Sequence, residues 1–477
     1  MDTIVRLPLD RAAKVSLVAQ IHGGLREAIR SGQIAEGARL PSWRDLAAQL
    51  GVARGTVRAA YERLADEQLV VAEGSAGTRV VGRVSAPSPL LGTTPTGPFP
   101  ELYSTFGTSP LPFQNGVPAE DAFPYRLWSK LLTRAARVAA RSPVGYPDPR
   151  GPLELRREIA SYLSVARGLA CDPSQVLITA GFSGALGLSL SALQLAGRTA
   201  WLEEPGFPLT RATLRRGGLS IAAVPVDAEG LDVARGIEIA PDALLAVVTP
   251  GQHAPLGHTM SLSRRTALLD WAAEAEAWIL EDDYLGELQL DGRAAPALMS
   301  LDRHGRVLHA GTFSKTLSPA LRLGFLVVPP GLITRCAEAA AALAPAPTGA
   351  APLAVRELLA GGHYLRHLRR MKRLYRERRQ VLAAALRASA GEDAFRVEER
   401  GGFAVRLLMQ RPIDDVAIAA RANARGLAAV PLSPWYTGSR SQSGLVLGFS
   451  NLDERRLSAD CAALFALARS PDGHPTS

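Results

Sequence analysis

Lysine is scarce. Of 54 basic residues only Lys14, Lys130, Lys315 and Lys372 are lysines, and arginine supplies the positive charge everywhere else. Arginine stays protonated in proteins, whereas lysine can lose its proton and form an imine with an aldehyde, so a retained lysine is a candidate for chemistry that arginine cannot do. Cysteine is scarcer still. Cys171, Cys336 and Cys461 are far apart, odd in number and without C-x-x-C spacing, which excludes a disulfide framework and a cysteine-based zinc site. No stretch approaches the roughly 18 uninterrupted apolar residues of a membrane span. The Ala-rich run around Ala337 to Ala351 is broken by Glu338, Pro345 and Pro347. The N-terminus, MDTIVRLPLD, has acids and a proline where a signal peptide needs an apolar segment, so a cytoplasmic protein is expected.

What is present is ordinary in bulk and specific in pattern. The chain has 477 residues, 47% hydrophobic and 21% charged, as in soluble globular proteins. At about 100 to 200 residues per domain this length implies two to four domains. A net charge of +9 suits a polyanionic partner without identifying one. Residues 1–83 read as helices followed by a hairpin: Leu17, Ile21, Leu25 and Ile29 recur every four residues, Ser42 offers an N-cap and Gly51 a stop, and a third helix runs from about Ala53 to Leu64. Strands Leu69 to Ala72 and Thr78 to Val81 flank a Gly-Ser-Ala-Gly turn, completing a winged helix-turn-helix pattern. Residues 84–110, rich in Pro, Gly, Ser and Thr, read as a linker. From 111 to 477, β-type runs (Val176 to Thr179, Ala200 to Glu203, Leu244 to Thr249, Trp278 to Glu281, Gly324 to Val328) alternate with helical stretches, which predicts an α/β domain with a mostly parallel sheet.

The first domain carries LPS-x-R-x-LA (Leu40 to Ala47) and GV-x-R-x-TV-x-x-AY-x-x-L (Gly51 to Leu64), then Gly77-Thr78 in the wing. These pieces, in this order, resemble the GntR family of winged-helix DNA-binding domains. The family's wing usually reads G-x-G-T; Ser75 stands where the first glycine belongs, with Gly74 one residue earlier as its substitute. A recognition helix presents its first turns to base edges, so Arg54, Thr56 and Arg58 are expected to contact DNA while Val57, Tyr61 and Leu64 face the core. The resemblance adds Arg44 and the wing's Gly77. The charge of residues 1–83 is modest, 12 Arg and Lys against 9 Asp and Glu.

The strongest chemical signal is GTFSKTLSPALRLGFLVVP, Gly311 to Pro329. It resembles the S-x-S-K-x-x-x-P-x-x-R-x-G signature of fold-type I enzymes dependent on pyridoxal 5'-phosphate (PLP), with Thr312 in place of the first serine. The resemblance implies that Lys315 is the Schiff-base lysine and that Thr312, Ser314 and Arg322 bind the phosphate. A dianionic phosphate needs charge-assisted donors and an aldehyde needs a desolvated amine, which this grouping supplies. In LEDDYLGEL the family's pyridine-pairing acid is assigned to Asp282, with Asp283 the competing choice, and Tyr284 to the ring hydroxyl. Gly181, Phe182 and Ser183 open a helix after a strand and would cradle the phosphate. Phe207, in EEPGFP, occupies the ring-stacking place, and Tyr146, in YPDPRG, that of a tyrosine reaching the neighbouring subunit's phosphate, which implies a homodimer.

Together these resemblances cover about residues 15–83 and 111–465, and the order of the two halves is similar to that of the MocR family, whose GabR-type members sense ligands through PLP. The resemblance implies a DNA-binding regulator responsive to PLP itself or to an amine or amino acid; the alternative is a working aminotransferase that carries a winged helix. Two departures bear on the effector. Val446 stands in Leu445 to Ser450 where aminotransferases keep a carboxylate-binding arginine, and Leu209 where GABA-responsive regulators have another. Both disfavour a simple amino acid. His253 lies one place from its usual position in Thr249 to Gly257 and reads as a satisfied loop residue twice as readily as a general base. The basic run His363 to Gln380 reads as an amphipathic surface helix with Tyr364, Leu368, Met371 and Tyr375 inward.

Overall fold

A computed structural model of the chain describes residues 7–74, 77–81, 110–141, 145–292, 294–343, 345–390, 395–399, 402–410, 413–438 and 442–469. The linker reading of 84–110, apart from Pro110, and the place of Ser75 in the wing lie outside the described residues. The chain divides into two compact units, Met1–Tyr103 and Ser104–Ser477.

In the first unit each of the first two helices begins at a serine cap, of which Ser42 was expected from the sequence. Helix α1 (Leu17–Arg30) starts after Ser16, whose Oγ accepts from the Ala19 N–H at 3.3 Å. Helix α2 (Trp43–Leu50) starts after Ser42, which accepts from the Asp45 N–H at 3.2 Å and donates to the Asp45 carboxylate at 2.5 Å. Gly51 closes α2 at φ +61°, a conformation that glycine adopts without steric cost. Helix α3 (Arg54–Asp66) follows within three residues, and the Tyr61 hydroxyl donates to the Pro41 carbonyl at 2.8 Å, tying α3 to the entry of α2. Strands β1 (Val70–Ala72) and β2 (Thr78–Val80) pair antiparallel, with Gly74 at φ +57° and Gly77 at φ +93° in the turn. Ile21, Leu25, Leu46, Val57, Tyr61, Leu64, Val70 and Val80 form one buried cluster.

The second unit is built on an eight-stranded sheet: β3 (Val176–Thr179), β4 (Thr199–Glu204), β5 (Ser220–Asp227), β6 (Gly230–Leu231), β7 (Leu245–Val248), β8 (Trp278–Asp283), β9 (Val307–Thr312) and β10 (Gly324–Val327), in the order β3-β10-β9-β8-β7-β4-β5-β6. The central run from β9 through β8, β7 and β4 to β5 is parallel, and β10 is antiparallel to both its neighbours. Residues of β3 and β7 are buried throughout, as continuous apolar runs in a sheet covered on both faces should be. Strand β9 is not among the runs anticipated above, because a buried histidine, His309, interrupts its apolar pattern. Strand β8 continues two residues past the expected end at Glu281 and so places three consecutive acids on one strand.

Helices α4 (Leu153–Arg167) and α5 (Gly181–Leu193) lie in the same unit, with the long α6 (His363–Ala390) and α7 (Leu457–Arg469). Tyr364, Leu368, Met371 and Tyr375 of α6 are all buried in the largest core cluster, as their three- and four-residue apolar spacing predicts. A second, antiparallel sheet has the order β11-β12-β14-β13, from β11 (Phe395–Glu398), β12 (Ala404–Met409), β13 (Val430–Pro431) and β14 (Gly444–Gly448). One face of this sheet, with Val405, Leu407, Leu445 and Leu447, packs into the cluster that holds α6 and α7.

Candidate functional site

The register of β10 brings together the residues that the sequence assigns to a phosphate. Gly324 pairs with Thr179 at the end of β3 and with Thr312 at the end of β9, so the turn into α5 and the Thr312-to-Lys315 segment meet across one glycine. A Cβ at position 324 would lie 2.6 Å from the Gly311 carbonyl oxygen and 2.9 Å from the Gly181 Cα, closer than real atoms come. Gly181 opens α5 at φ +73° and among the described residues no side chain caps that helix, and its first amides, those of Gly181, Phe182 and Ser183, have no intrahelical partners. The Ser314 N–H donates to Thr312 Oγ1 at 3.1 Å and that hydroxyl donates to Ser314 Oγ at 3.0 Å. Arg322, exposed and left-handed at φ +45°, reaches back with Nη2 to the Ala180 carbonyl at 3.4 Å. Two hydroxyls, a guanidinium and an open helix N-terminus thus converge as an anion cradle.

Beside this cradle, the Lys315 amine donates to the Gly116 carbonyl at 2.8 Å. Gly116 has φ +78°, and a Cβ there would sit 2.7 Å from Nζ, so the glycine keeps room for the amine. Burial lowers the Lys315 pKa to about 8 against the opposing pull of Asp282. The period of two along β8 separates the three acids. On one face Asp283 accepts from Arg167 Nε of α4 at 2.7 Å, and Glu281 accepts from His309 Nδ1 at 2.9 Å and from the Leu298 and Met299 amides at 2.7 and 3.1 Å. Burial raises the Glu281 carboxyl, but His309 and the two amides outweigh it and hold the pKa at about 2. On the other face Asp282 is within electrostatic reach of Lys315, and its Oδ1 is buried without a hydrogen-bond partner among the described residues. Burial first, then Asp283 and Glu203, push the Asp282 carboxyl well above its ordinary value. Burial likewise raises the Tyr284 phenol, whose oxygen would lie 3.2 Å from a Cβ at Gly402.

Phe207 is exposed, with its ring 5.5 Å from that of Trp435 in a tilted arrangement. Arg211, near it in sequence, is engaged elsewhere: its Nη2 donates to the Trp435 carbonyl at 2.7 Å. His253 is buried, donates from Nε2 to the Pro205 carbonyl at 3.0 Å and accepts from the Leu256 N–H at 3.4 Å, the satisfied loop role expected of it. Burial lowers its pKa to about 3. Tyr146 is fully exposed, so one chain does not bring it to the residues above. Sequence reasoning missed Gly116, which lies 199 positions from Lys315. It also missed Glu203, buried and bonded to Thr249 N at 3.0 Å and Oγ1 at 2.6 Å, which burial lifts to about 7. Glu203 belongs to EEPGFP, but nothing in that motif says which acid turns inward; Glu203 does.

In the first unit Arg54 and Arg58 are exposed and Thr56 is half-exposed on the opening turns of α3, with Val57 buried between them. Arg58 pairs with Glu62 one turn on, at 2.9 Å, and the Arg44 guanidinium lies over the Trp43 ring at 4.9 Å. A Cβ on Gly77 would meet the Arg39 guanidinium at 2.7 Å, so the wing's second glycine allows a close approach.

These two units define a class: a winged-helix regulator domain and an aminotransferase-type unit on one chain. Residues 17–80 match the gntR family of bacterial regulatory proteins and residues 121–436 match aminotransferase class I and II. The chain is 33% identical over 466 residues to the probable rhizopine catabolism regulatory protein MocR of Rhizobium meliloti, covering 94% of this chain and 93% of that one. It is 32% identical over 447 residues to the pyridoxine biosynthesis transcriptional regulator PdxR of Corynebacterium glutamicum, covering 93% and 94% respectively. Among solved structures it resembles the α-aminoadipate aminotransferase LysN of Thermus thermophilus, with a TM-score of 0.69, 26% identity, and 78% of this chain and 94% of that one covered. The chain belongs to the MocR-type family of transcription regulators, in which a GntR-type winged helix is fused to an aminotransferase class I and II domain. Among the described residues no helix is long and apolar enough to cross a membrane.

Proposed function

We propose that this chain regulates transcription by binding operator DNA through Arg44, Arg54, Thr56, Arg58 and the Gly77 wing, and by binding PLP in its aminotransferase-type unit. The observation that carries the second half is Asp282 Oδ1, a buried acceptor without a hydrogen-bond partner among the described residues, within electrostatic reach of a buried amine of lowered pKa. An unsatisfied buried acceptor is costly, and a protonated ring nitrogen would relieve it. In this reading Lys315 holds the aldehyde carbon, Asp282 the ring nitrogen and Tyr284 the ring hydroxyl. Thr312, Ser314, Arg322 and the amides of Gly181, Phe182 and Ser183 hold the phosphate, and Phe207 covers the ring. PLP supplies an electrophilic carbon that reports the arrival of an amine. The orphaned carboxylate, the uncapped helix and the glycine at 116 fit such a group.

Residues 1–83 are the DNA-binding domain, 84–110 the linker and 111–477 the ligand-binding domain of a cytoplasmic homodimer, and the effector is PLP or a small amine or amino acid. The name of the Corynebacterium relative, a pyridoxine biosynthesis regulator, supports PLP itself as a signal. Purified protein is expected to be yellow, with an absorption band that borohydride bleaches, and to bind operator DNA with an affinity that changes on PLP loading. A protein that stays colourless after incubation with PLP sinks the cofactor assignment. Operator affinity indifferent to loading sinks PLP as the signal.

A further inference from the structure

Val446 lacks the charge that carboxylate-binding relatives of the fold place there, yet the sheet puts an arginine directly beside it. Across the four strands one row reads Glu398, Arg406, Val446, Val430, each residue paired with the next. Directly paired residues project to the same face of a sheet. That face is not the one packed against α6: Ala404 and Leu408, two places either side of Arg406, cluster with Val446, Leu432 and Trp435, and with Ala254 and Tyr436 at the edge. This is the wall that carries the ring-covering side of the site. Trp435 meets Phe207, the Gly206 N–H donates to the Trp435 carbonyl at 2.9 Å, and Arg406 Nη2 donates to the carbonyl of Leu256, in the loop whose His253 bonds Pro205. Strand β12 follows directly on Gly402, which approaches the Tyr284 hydroxyl.

Arg406 is buried and its Nη2 lies 2.5 Å from Glu398 Oε2, while Arg396 pairs with the other oxygen of the same carboxylate. Two guanidiniums thus share one acid. Glu398 retains 24% of its side-chain exposure against 5% for Arg406, so the acid is the member that can turn towards water. Exchanging one carboxylate for another on a buried guanidinium keeps its charge-assisted bonds, and no unpaired charge is left behind.

Resting on the PLP reading above, we propose that Arg406 is the receptor for the carboxylate of the effector, with Glu398 as its resident stand-in, displaced when the effector binds. The guanidinium absent from β14 at position 446 is supplied from the neighbouring strand, and the effector class is a primary amine that also bears a carboxylate, an amino acid. This reverses the expectation drawn from Val446 and Leu209 alone.

The test titrates PLP-loaded full-length protein with L-alanine against ethylamine, L-leucine against isoamylamine, and L-glutamate against γ-aminobutyrate, following the cofactor band. Within a pair, the ratio of half-saturation concentrations isolates one carboxylate on the same loaded protein. Wild type is expected to favour the more carboxylated member of at least one pair by about tenfold or more, the scale of one charged hydrogen bond. Arg406→Gln should bring that ratio near one, Arg406→Lys should keep part of it, and Glu398→Gln should tighten the carboxylated member several-fold. Should Arg406→Gln fail to fold, the Lys and Glu398→Gln variants still decide: a ratio unchanged in both overturns the proposal. So does a wild-type ratio near one in all three pairs, or a ratio that survives Arg406→Gln. A wild type with no borohydride-sensitive band overturns the cofactor reading itself, a separate and earlier failure.

Discussion

Asp282 and Asp283 are chemically the same and adjacent, but the pleat of β8 gives them different surroundings: Asp283 pairs with the buried Arg167 guanidinium, whereas Asp282 is within electrostatic reach of Lys315 and its Oδ1 has no hydrogen-bond partner among the described residues. Replacing Asp283 by Asn should strand Arg167 without its counter-charge and cost about 3 to 5 kcal/mol, read as a lowered denaturant midpoint. Asp282→Asn removes a charge that burial already disfavours, so apo-protein stability should hold or rise while PLP affinity falls. If Asp282→Asn proved the more destabilising of the two, the facing of β8 would be wrong. Lys315 makes a pH prediction. Its folded pKa is lowered from 10.5 to about 8, so between these values the unfolded chain holds a proton that the folded chain does not. Its contribution to stability therefore rises with pH across that window, and its penalty is fully present below about pH 8. Cofactor-free protein should take up PLP faster as pH rises through about 8, where the amine becomes neutral, and a rate that is flat from pH 7 to 9 would contradict a desolvated Lys315.

At the scale of elements, α2 and α3 are placed by short-range chemistry: a Ser cap, a left-handed glycine and a tyrosine bonded to a proline carbonyl. Tyr61→Phe should cost about 1 kcal/mol of domain stability by leaving that buried carbonyl unmet, measured by thermal melting. Arg54→Ala and Arg58→Ala should each weaken operator binding by about 1 to 3 kcal/mol if the side chain bonds a base edge. Glu62→Ala is the informative partner: the exposed Arg58–Glu62 pair contributes only about 0.3 to 0.5 kcal/mol to the helix, so losing it should leave operator affinity equal or tighter. Gel-shift titrations in which Arg54→Ala and Arg58→Ala bind like wild type would move the recognition surface elsewhere. The elements legible beforehand were those whose apolar period is unbroken, such as α1, β3, β7 and the inward stripe of α6. Strand β9 was not legible, because the pairing of His309 with Glu281 that lets an ionisable residue sit in a central strand involves an acid 28 positions away.

At the scale of the whole molecule, Tyr146 is the residue that one chain leaves unused. It is fully exposed, and its motif resembles the segment that in fold-type I enzymes reaches the neighbouring subunit's site. The expected unit is a homodimer in which each Tyr146 completes the partner's anion cradle, with two winged helices and therefore two half-sites in the operator. Tyr146→Phe should weaken PLP retention in dialysis while light scattering still reports a dimer; a PLP-loaded monomer would refute the shared site.

The amino-acid sequence by itself determined the elements with strong local signals, the cap and stop of the second helix of the winged helix, and the residue types the cofactor chemistry calls for: Lys315, one of four lysines in an arginine-rich chain, hydroxyls beside it, acids upstream. Local patterns are sufficient there because capping, periodicity and turn conformation act over a few residues. Tertiary structure alone decided which of two adjacent acids faces Lys315, because a strand's facing is set by its neighbours' register. It also brought Gly116 to the amine, joined Thr179 to Thr312 across Gly324, and set Arg406 beside Val446. Those are pairings between distant strands and loops, and the burial and charge balance that shift the pKa values of Asp282, Glu203 and Lys315 exist only once such pairings have closed.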